Sequence, residues 1–311
     1  MYDIAIIGAG PAGMTAGIYA RRAGYTVAMF EMSMPGGQAA TTDQVENFPG
    51  YPEGISGSEL AMKFYEHCNA FGVQTVFEQV VSLELEGEIK KINTDTGMAR
   101  NTYEAKAVIL ATGAHPRMLG VPNEERLRGK GVSYCGTCDG FFFRDKDVCV
   151  IGGGDVAVED AIYLANMCKS VTVFHRREEL RANKRSQELA LSNDKIHFEW
   201  NTVVTAINGE DKVSGVTTKN VKTGEVKDWT VDGCFVFVGN DPNNACFPAA
   251  LSLDERGYVL TDDAYASNLP GVFAVGDCIH KNVRQISTAV GDAGAVMNAV
   301  ERYLREGGGH A

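Results

Sequence analysis

Two cysteines spaced for redox chemistry stand near the middle of the chain, in Val132-Ser-Tyr-Cys135-Gly-Thr-Cys138-Asp139. Two thiols separated by two residues can ligate a metal, or they can close a short disulfide ring and exchange it with an external disulfide. A structural zinc needs four ligands, and no second pair at zinc-ligand spacing is present. The spacing therefore points to redox exchange and away from metal. In such an exchange one thiolate attacks, the other resolves, and a departing thiolate must take a proton. Asp139 is the nearest candidate to supply it, with a turn or cap as its plainer role.

Two phosphate-binding turns flank this pair. Asp3-Ile-Ala-Ile-Ile7 is a continuous apolar run, as in a buried parallel strand. Gly8-Ala-Gly10-Pro11-Ala12-Gly13 follows and opens a helix expected to run to about Ala23; Tyr25–Phe30 is the next strand and Glu31 stands at its end. This is the strand, glycine turn, helix, strand and acid of a dinucleotide-binding unit, with the acid placed to bond a free ribose 2′-hydroxyl and to repel a 2′-phosphate. The pattern recurs. Asp147–Ile151 is a strand, Gly152-Gly-Gly154-Asp155-Val-Ala157 opens a helix through about Cys168, and Ser170–Phe174 is a strand. It ends in His175-Arg176-Arg177, with Arg181 four residues further on, where the first unit has its acid. Guanidinium groups at that position suit a 2′-phosphate. The first site thus expects a nucleotide with a free 2′-hydroxyl and the second expects NADPH. A nicotinamide donates a hydride, which a disulfide does not take directly. A flavin carries electrons between the two, which makes FAD the occupant expected at the first site.

The 311 residues suffice for two domains with separate cores. Hydrophobic residues make up 44% and charged residues 22%, as in ordinary globular proteins. A net charge of -11 leaves no basic field for nucleic acid. No apolar run approaches the roughly 20 residues of a membrane span. Met1-Tyr-Asp3 leads straight into a strand without a charged and then apolar leader, so a cytoplasmic location is expected. Six further cysteines (Cys68, Cys149, Cys168, Cys234, Cys246 and Cys278) are scattered, and most read as buried thiols rather than a secreted disulfide framework.

The remaining pattern supplies the scaffold. Ser58 is the expected N-cap of a helix to Phe71, alternating strands follow to about residue 104, and residues 107–111 form a separate buried strand. Pro and Gly concentrate over residues 114–131, a candidate boundary; the Val238–Asn243 turn is another. Residues 196–237 read as a β-meander packed on the second unit. Gly271–Val275 is a strand running into Gly276-Asp277, and Arg284-Gln285-Ile286 leads into a helix to Leu304, with a disordered tail expected from Gly307.

These motifs, in this order and spacing over nearly the whole chain, resemble the low-molecular-weight, bacterial-type thioredoxin reductases. The resemblance implies an α/β fold of two Rossmann-like, three-layer ββα dinucleotide-binding domains, the second inserted in the first. It implies an FAD domain over residues 1–114 and 244–311 and an NADPH domain over residues 115–243. It implies that the Gly36-Gly37-Gln38 loop, Asn47, Thr112, Gly113, Gly276, Asp277, Arg284, Gln285 and Ile286 join the first glycine turn in holding FAD. It further implies a homodimer, a rotating NADPH domain, Cys138 as the sulfur nearer the flavin, and Cys135 as the sulfur that attacks thioredoxin or a similar redoxin.

Two positions depart from the family. Gly136 replaces the usual Ala between the cysteines, which bears on loop flexibility and dithiol potential. Val156 replaces a frequent Ser in the second turn, which bears on one pyrophosphate contact. A flavoenzyme of the same fold fed by ferredoxin, or a dithiol oxidase, is the competing reading, and Arg176, Arg177 and Arg181 weigh against it because neither needs a 2′-phosphate clamp. A flavin-bound sensor without turnover would have no use for the dithiol.

Overall fold

The computed structural model describes residues 1–42 and 45–307. Of the tail expected from Gly307, all but Gly307 itself lies outside them. The chain divides into two compact units, one formed by Met1–His115 with Asp241–Ala311 and the other by Pro116–Asn240.

The first unit opens with β1 (Tyr2–Ile7), α1 (Pro11–Arg22), β2 (Val27–Phe30) and α2 (Gly57–Ala70). Strands β3 (Gln74–Val76), β4 (Gln79–Glu84), β5 (Lys90–Asp95), β6 (Arg100–Leu110) and β7 (Ala114–Pro116) follow. Ser56, not Ser58, caps α2: its side chain accepts the Glu59 N–H, and Ser58 already lies in the first turn. Residues 100–110 are one strand rather than two. The first half of β6 pairs antiparallel with β5, and its second half runs parallel to β1. The polar residues before Ala107 belong to the half shared with the meander.

The second unit contains β8 (Val132–Ser133), α3 (Gly136–Asp139), β9 (Asp147–Gly152), α4 (Asp155–Ala165), β10 (Ser170–His175) and α5 (Lys184–Leu191). It continues through β11 (Ile196–Trp200), β12 (Thr202–Asn208), β13 (Gly215–Asn220), β14 (Val226–Trp229) and β15 (Gly233–Phe237). Its main sheet has the order β11-β10-β9-β15-β8, and all its pairings are parallel. Only β12, β13 and β14 form the antiparallel meander expected over the whole of 196–237. The alternating Ile196–Trp200 segment is a parallel edge strand, a place where one face stays half-exposed.

The chain returns to the first unit through β16 (Asn240–Pro242), β17 (Val272–Ala274) and α6 (Ile286–Arg305). Strand β17 adds to β6 in parallel, giving a sheet of order β3-β2-β1-β6-β17 that shares β6 with the β4-β5 meander. Side-chain alternation along β1 explains the three layers. Ile4 and Ile6 pack with Met14, Ile18 and Val296 of the helices, while Ala5 and Ile7 pack with Leu83 and Ile92 on the meander side. The second unit repeats the scheme. Val148, Val150, Val171 and Val173 meet Ala157, Ala161 and Leu164 of α4, and Cys149, Ile151 and Phe174 meet Val204 and Val216 of the meander.

The segments that join the units, β7 and β16, pair with each other. Arg117 N donates to Gly239 O at 2.9 Å within the second unit, and Asn243 N donates to Gly113 O at 3.0 Å within the first.

Candidate functional site

In the first unit, two glycines of the turn between β1 and α1 leave no room for a side chain. Gly8 has φ +109°, and a Cβ there would fall 2.4 Å from Ala111 O at the end of β6. A Cβ on Gly13 would fall 1.9 Å from Gly8 O, so helix and turn close together only without it. Gly10 faces open space. It lies just before α1, whose first turn carries no acid and begins with Pro11, so the helix start is free to meet an anion.

Several distant residues named from sequence converge on this turn. Gly36 N donates to Ala9 O at 2.7 Å, and a Cβ on Gly37 would lie 3.5 Å from Gly10 Cα, which seats the loop that continues into Gln38. A Cβ on Gly276 would come 2.9 Å from Ala12 Cβ, so the turn after β17 sits against the same helix start. Glu31 at the end of β2 is already engaged: Oε2 accepts the Ala9 N–H and Oε1 the Ser33 N–H, both at 3.1 Å. Asn47 Nδ2 donates to Gln285 Oε1 at 3.1 Å, and Gln285 N to Thr288 Oγ1 at 3.1 Å, fixing the entry of α6 at Ile286. The Arg284 guanidinium lies 4.3 Å from the Tyr258 ring centroid and points Nη2 at Ile279 O, 3.3 Å away, so it braces the segment after Asp277.

Asp277 is the residue these contacts leave incomplete. Its Oδ1 is buried and makes no hydrogen bond among the described residues, with Lys281 Nζ 3.9 Å away. Burial raises its pKa against the pull of Lys281 and Arg284. Thr112 Oγ1, at the end of β6, is likewise buried without a partner, and the adjoining Gly113 is held through its carbonyl by Asn243. Buried polar atoms are normally paired. An open cradle at Gly10 with orphaned polar atoms nearby fits a large polar ligand such as FAD.

In the second unit, Gly152 has φ +155° and a Cβ there would meet Phe237 O at 2.5 Å. Gly154 faces open space at the start of α4, and Ala157 stands in the place of a third glycine. The loop after β10 is pinned to this turn at two points. Arg181 N donates to Gly153 O at 2.7 Å, and Asp155 Oδ1 accepts Asn183 N at 2.7 Å. Arg176, Arg177 and Arg181 are all exposed on that loop. His175 is not one of its free cations. It is 4% exposed, its ring nitrogens face Gly152 O at 3.1 Å and Glu179 O at 3.0 Å, and burial pushes its pKa down. A Cβ on Gly153 would lie 2.2 Å from its ring, so the middle glycine makes room for this histidine.

Cys135 and Cys138 form a disulfide across the start of α3, with Cα atoms 5.3 Å apart. Ser133, at the end of β8, organises the turn: its Oγ accepts Cys135 N at 3.1 Å and donates to Asp139 Oδ2 at 2.6 Å. Tyr134 is anchored on the other side by its hydroxyl, 2.9 Å from the buried Glu124, which also takes the amides of Leu119 and Gly120. Beyond the turn, Phe141 and Phe142 are 49% and 40% exposed, an apolar pair beside the disulfide. The other cysteines are set apart from it. Cys68, Cys149, Cys168, Cys234 and Cys278 are buried, Cys246 is half-buried, and burial pushes the Cys68 thiol up to about 12.

A family model for pyridine nucleotide-disulphide oxidoreductases matches residues 2–293. The chain belongs to this family. Among its curated relatives within the pyridine nucleotide-disulphide oxidoreductases, a thioredoxin reductase of Peptoclostridium acidaminophilum is 43% identical over 98% of this chain and 97% of that one. A thioredoxin reductase of Streptomyces coelicolor is 44% identical over 97% and 94%. The crystal structure of thioredoxin reductase from Streptococcus pyogenes superimposes with a TM-score of 0.89 at 49% identity, covering 98% of this chain and 99% of that one.

For a pyridine nucleotide-disulphide oxidoreductase, two acids in this structure carry weight that no motif announced. Asp160 of α4 accepts the Gly136 N–H at 3.2 Å, from the amide between the two cysteines. Asp292 of α6 accepts Gly276 N at 3.0 Å, Tyr265 OH at 3.1 Å and Lys281 Nζ at 2.7 Å, and so holds the turn that presents Asp277.

Proposed function

We propose that this chain is an NADPH-dependent thioredoxin-disulfide reductase, passing electrons from NADPH by way of FAD to the Cys135–Cys138 disulfide and on to thioredoxin or a similar small redoxin. The observation that carries the reading is a disulfide turn packed on α4, the helix that begins at a glycine turn flanked by three exposed arginines. In this reading the unit 1–115 with 241–311 holds FAD and the unit 116–240 holds NADPH. Bound FAD supplies the two-electron carrier between a hydride donor and a disulfide.

The chain's own residues do the rest. Gly8, Gly10, Pro11, Ala12 and Gly13 offer the start of α1 to the pyrophosphate, Glu31 favours a ribose with a free 2′-hydroxyl, and Asp277 and Thr112 offer the buried polar atoms that lack partners. Gly37, Gln38, Asn47, Gly113, Gly276, Arg284, Gln285 and Ile286 shape the remaining wall. Gly152, Gly154 and Ala157 open the start of α4, Asp155 fixes the arginine loop, and Arg176, Arg177 and Arg181 clamp the 2′-phosphate of NADPH. His175 serves this site by packing. Opening the disulfide adds two electrons and two protons, and Asp139, steadied by Ser133, is the carboxyl beside the departing thiolate. Cys135 attacks the partner disulfide and Cys138 resolves it. The exposed Phe141 and Phe142 suit the apolar surface of a protein substrate.

A homodimer and a cytoplasmic location go with this function. No helix among the described residues is long and apolar enough to cross a membrane. Anaerobic titration of the holoenzyme with NADPH and with NADH, followed by flavin absorbance, tests the proposal. Fast bleaching by NADPH and slow bleaching by NADH, then turnover with thioredoxin, is the expected result. Bleaching by neither nucleotide overturns it and leaves a ferredoxin-fed route.

A further inference from the structure

The redox turn lies on α4 through two glycines. A Cβ on Gly136 would sit 3.0 Å from Asp160 Cγ and 3.1 Å from its Oδ2, and a Cβ on Gly140 would sit 2.8 Å from Leu164 Cδ2. Glycines four apart on the turn thus face side chains four apart on one side of the helix. With no methyl at Gly136, the Asp160 carboxylate comes within 3.2 Å of the Gly136 amide. The charge that acts on it is that of Glu159 on α4; the redox turn that packs on α4 carries Asp139, α5 carries Lys184, Arg185 and Glu188, and His175 on β10 is buried. Burial, with Glu159 adding to it, raises the Asp160 pKa to about 6, so the group is still largely ionised at neutral pH.

We propose that Asp160 is a positioning residue for the dithiol: its carboxylate fixes the Cys135–Cys138 turn on α4, and its charge restrains ionisation of the reduced Cys135 thiol. A negative charge beside a thiol disfavours the thiolate, and the attacking thiol of an exchange works best with its pKa near ambient pH rather than far below it. Gly136 is the size-matched partner that lets the carboxylate approach. The inference rests on the reading of Cys135 and Cys138 as a working dithiol.

The test uses the FAD-bound holoenzyme reduced with dithiothreitol. Alkylation by iodoacetamide is followed against pH, and the modified Cys135 peptide is quantified by mass spectrometry. Asp160→Asn keeps an acceptor oxygen for Gly136 while removing the charge. The expected midpoint of its alkylation profile lies about one pH unit below that of the wild type, close to tenfold more thiolate below the midpoint. Gly136→Ala, which pushes the carboxylate back, shifts the profile the same way by less. An Asp160→Asn profile that superimposes on the wild type overturns the proposal, because a purely structural hydrogen bond leaves the titration unmoved. The underlying reading fails separately, if reduced wild-type enzyme yields no alkylatable pair at Cys135 and Cys138.

Discussion

Asp292→Ala removes the acceptor on which the Gly276-Asp277 turn is hung. The Asp292 side chain is 12% exposed and that of Lys281 14%. Truncation leaves a mostly buried ammonium with its nearer carboxylate gone and Asp277 Oδ1 at 3.9 Å, and also frees Gly276 N and Tyr265 OH, 3.0 and 3.1 Å from the carboxylate. Breaking a buried ion pair from one side costs about 3–5 kcal/mol. Residual exposure of Lys281 and its remaining approach to Asp277 favour the lower end, about 3 kcal/mol, with water entering the gap to satisfy the two neutral donors. At about 2–4 °C per kcal/mol for a domain of this size, the first unit should melt about 6–12 °C earlier. Flavin fluorescence on heating is the suitable assay, because release of FAD reports on that unit. Asp292→Asn keeps acceptors for Gly276 and Tyr265 and should lose less. Adding Lys281→Met to Asp292→Asn should restore part of the loss, since the stranded charge is gone. Two results would refute the reasoning: a fall under about 2 °C for Asp292→Ala, or strictly additive losses in the double variant.

Replacing Arg177 and Arg181 with Glu should raise KM for NADPH about 10–100-fold for each charge-assisted bond of about 1.5–3 kcal/mol, and leave KM for NADH nearly unchanged. Steady-state rates with both nucleotides decide it, and an equal loss on the two would remove the 2′-phosphate clamp from the mechanism. Cys138→Ser should bind FAD with an ordinary visible spectrum and still be bleached by NADPH, yet reduce no thioredoxin; full turnover in that variant would end the dithiol mechanism. For pH dependence, Asp160 carries a raised pKa of about 6 in the folded state against 3.8 for the ordinary carboxyl. The folded protein therefore binds more protons than the unfolded chain between these values, and this group's contribution to stability falls as pH rises from about 4 to about 6, then stays level. Asp160→Asn removes that fall. Denaturant midpoints at pH 4.5 and 7.5 should show the variant gaining on the wild type at the higher pH, and a constant offset would contradict the assignment.

Much of this architecture is legible in the residues because it is local. Gly8, Gly13 and Gly152 announce themselves: a strand must turn sharply into a helix there, and any side chain would strike backbone. The continuous apolar run of β1 reflects two buried faces. What the sequence hides is partnership at a distance. Ile196–Trp200 alternates as an edge strand does, whether its neighbour is parallel or antiparallel, and only pairing with Val171–His175 shows which. Residues 100–110 look like two segments because polar positions precede the apolar run, though the backbone passes unbroken from one sheet partner to the next. The capping Ser56 and the more interior Ser58 differ only by where the helix starts. His175 reads as part of a basic run, yet its side chain turns inward into space vacated by Gly153. Asp160 and Asp292 lie on helices without any motif, and their roles exist only once the redox turn and the Gly276 turn are folded against them.

The meeting of Arg117 with Gly239, and of Gly113 with Asn243, has a consequence for how such a chain came to be built. Each unit brings its own two cut ends together, so neither has to stretch to accommodate the other. A loop whose ends are already adjacent adds little closure entropy to its host, however long it is. The inserted stretch is, in that sense, a cassette grafted at a single stitch. Exchange for another cassette with equally close ends would leave the host unit's strands in register.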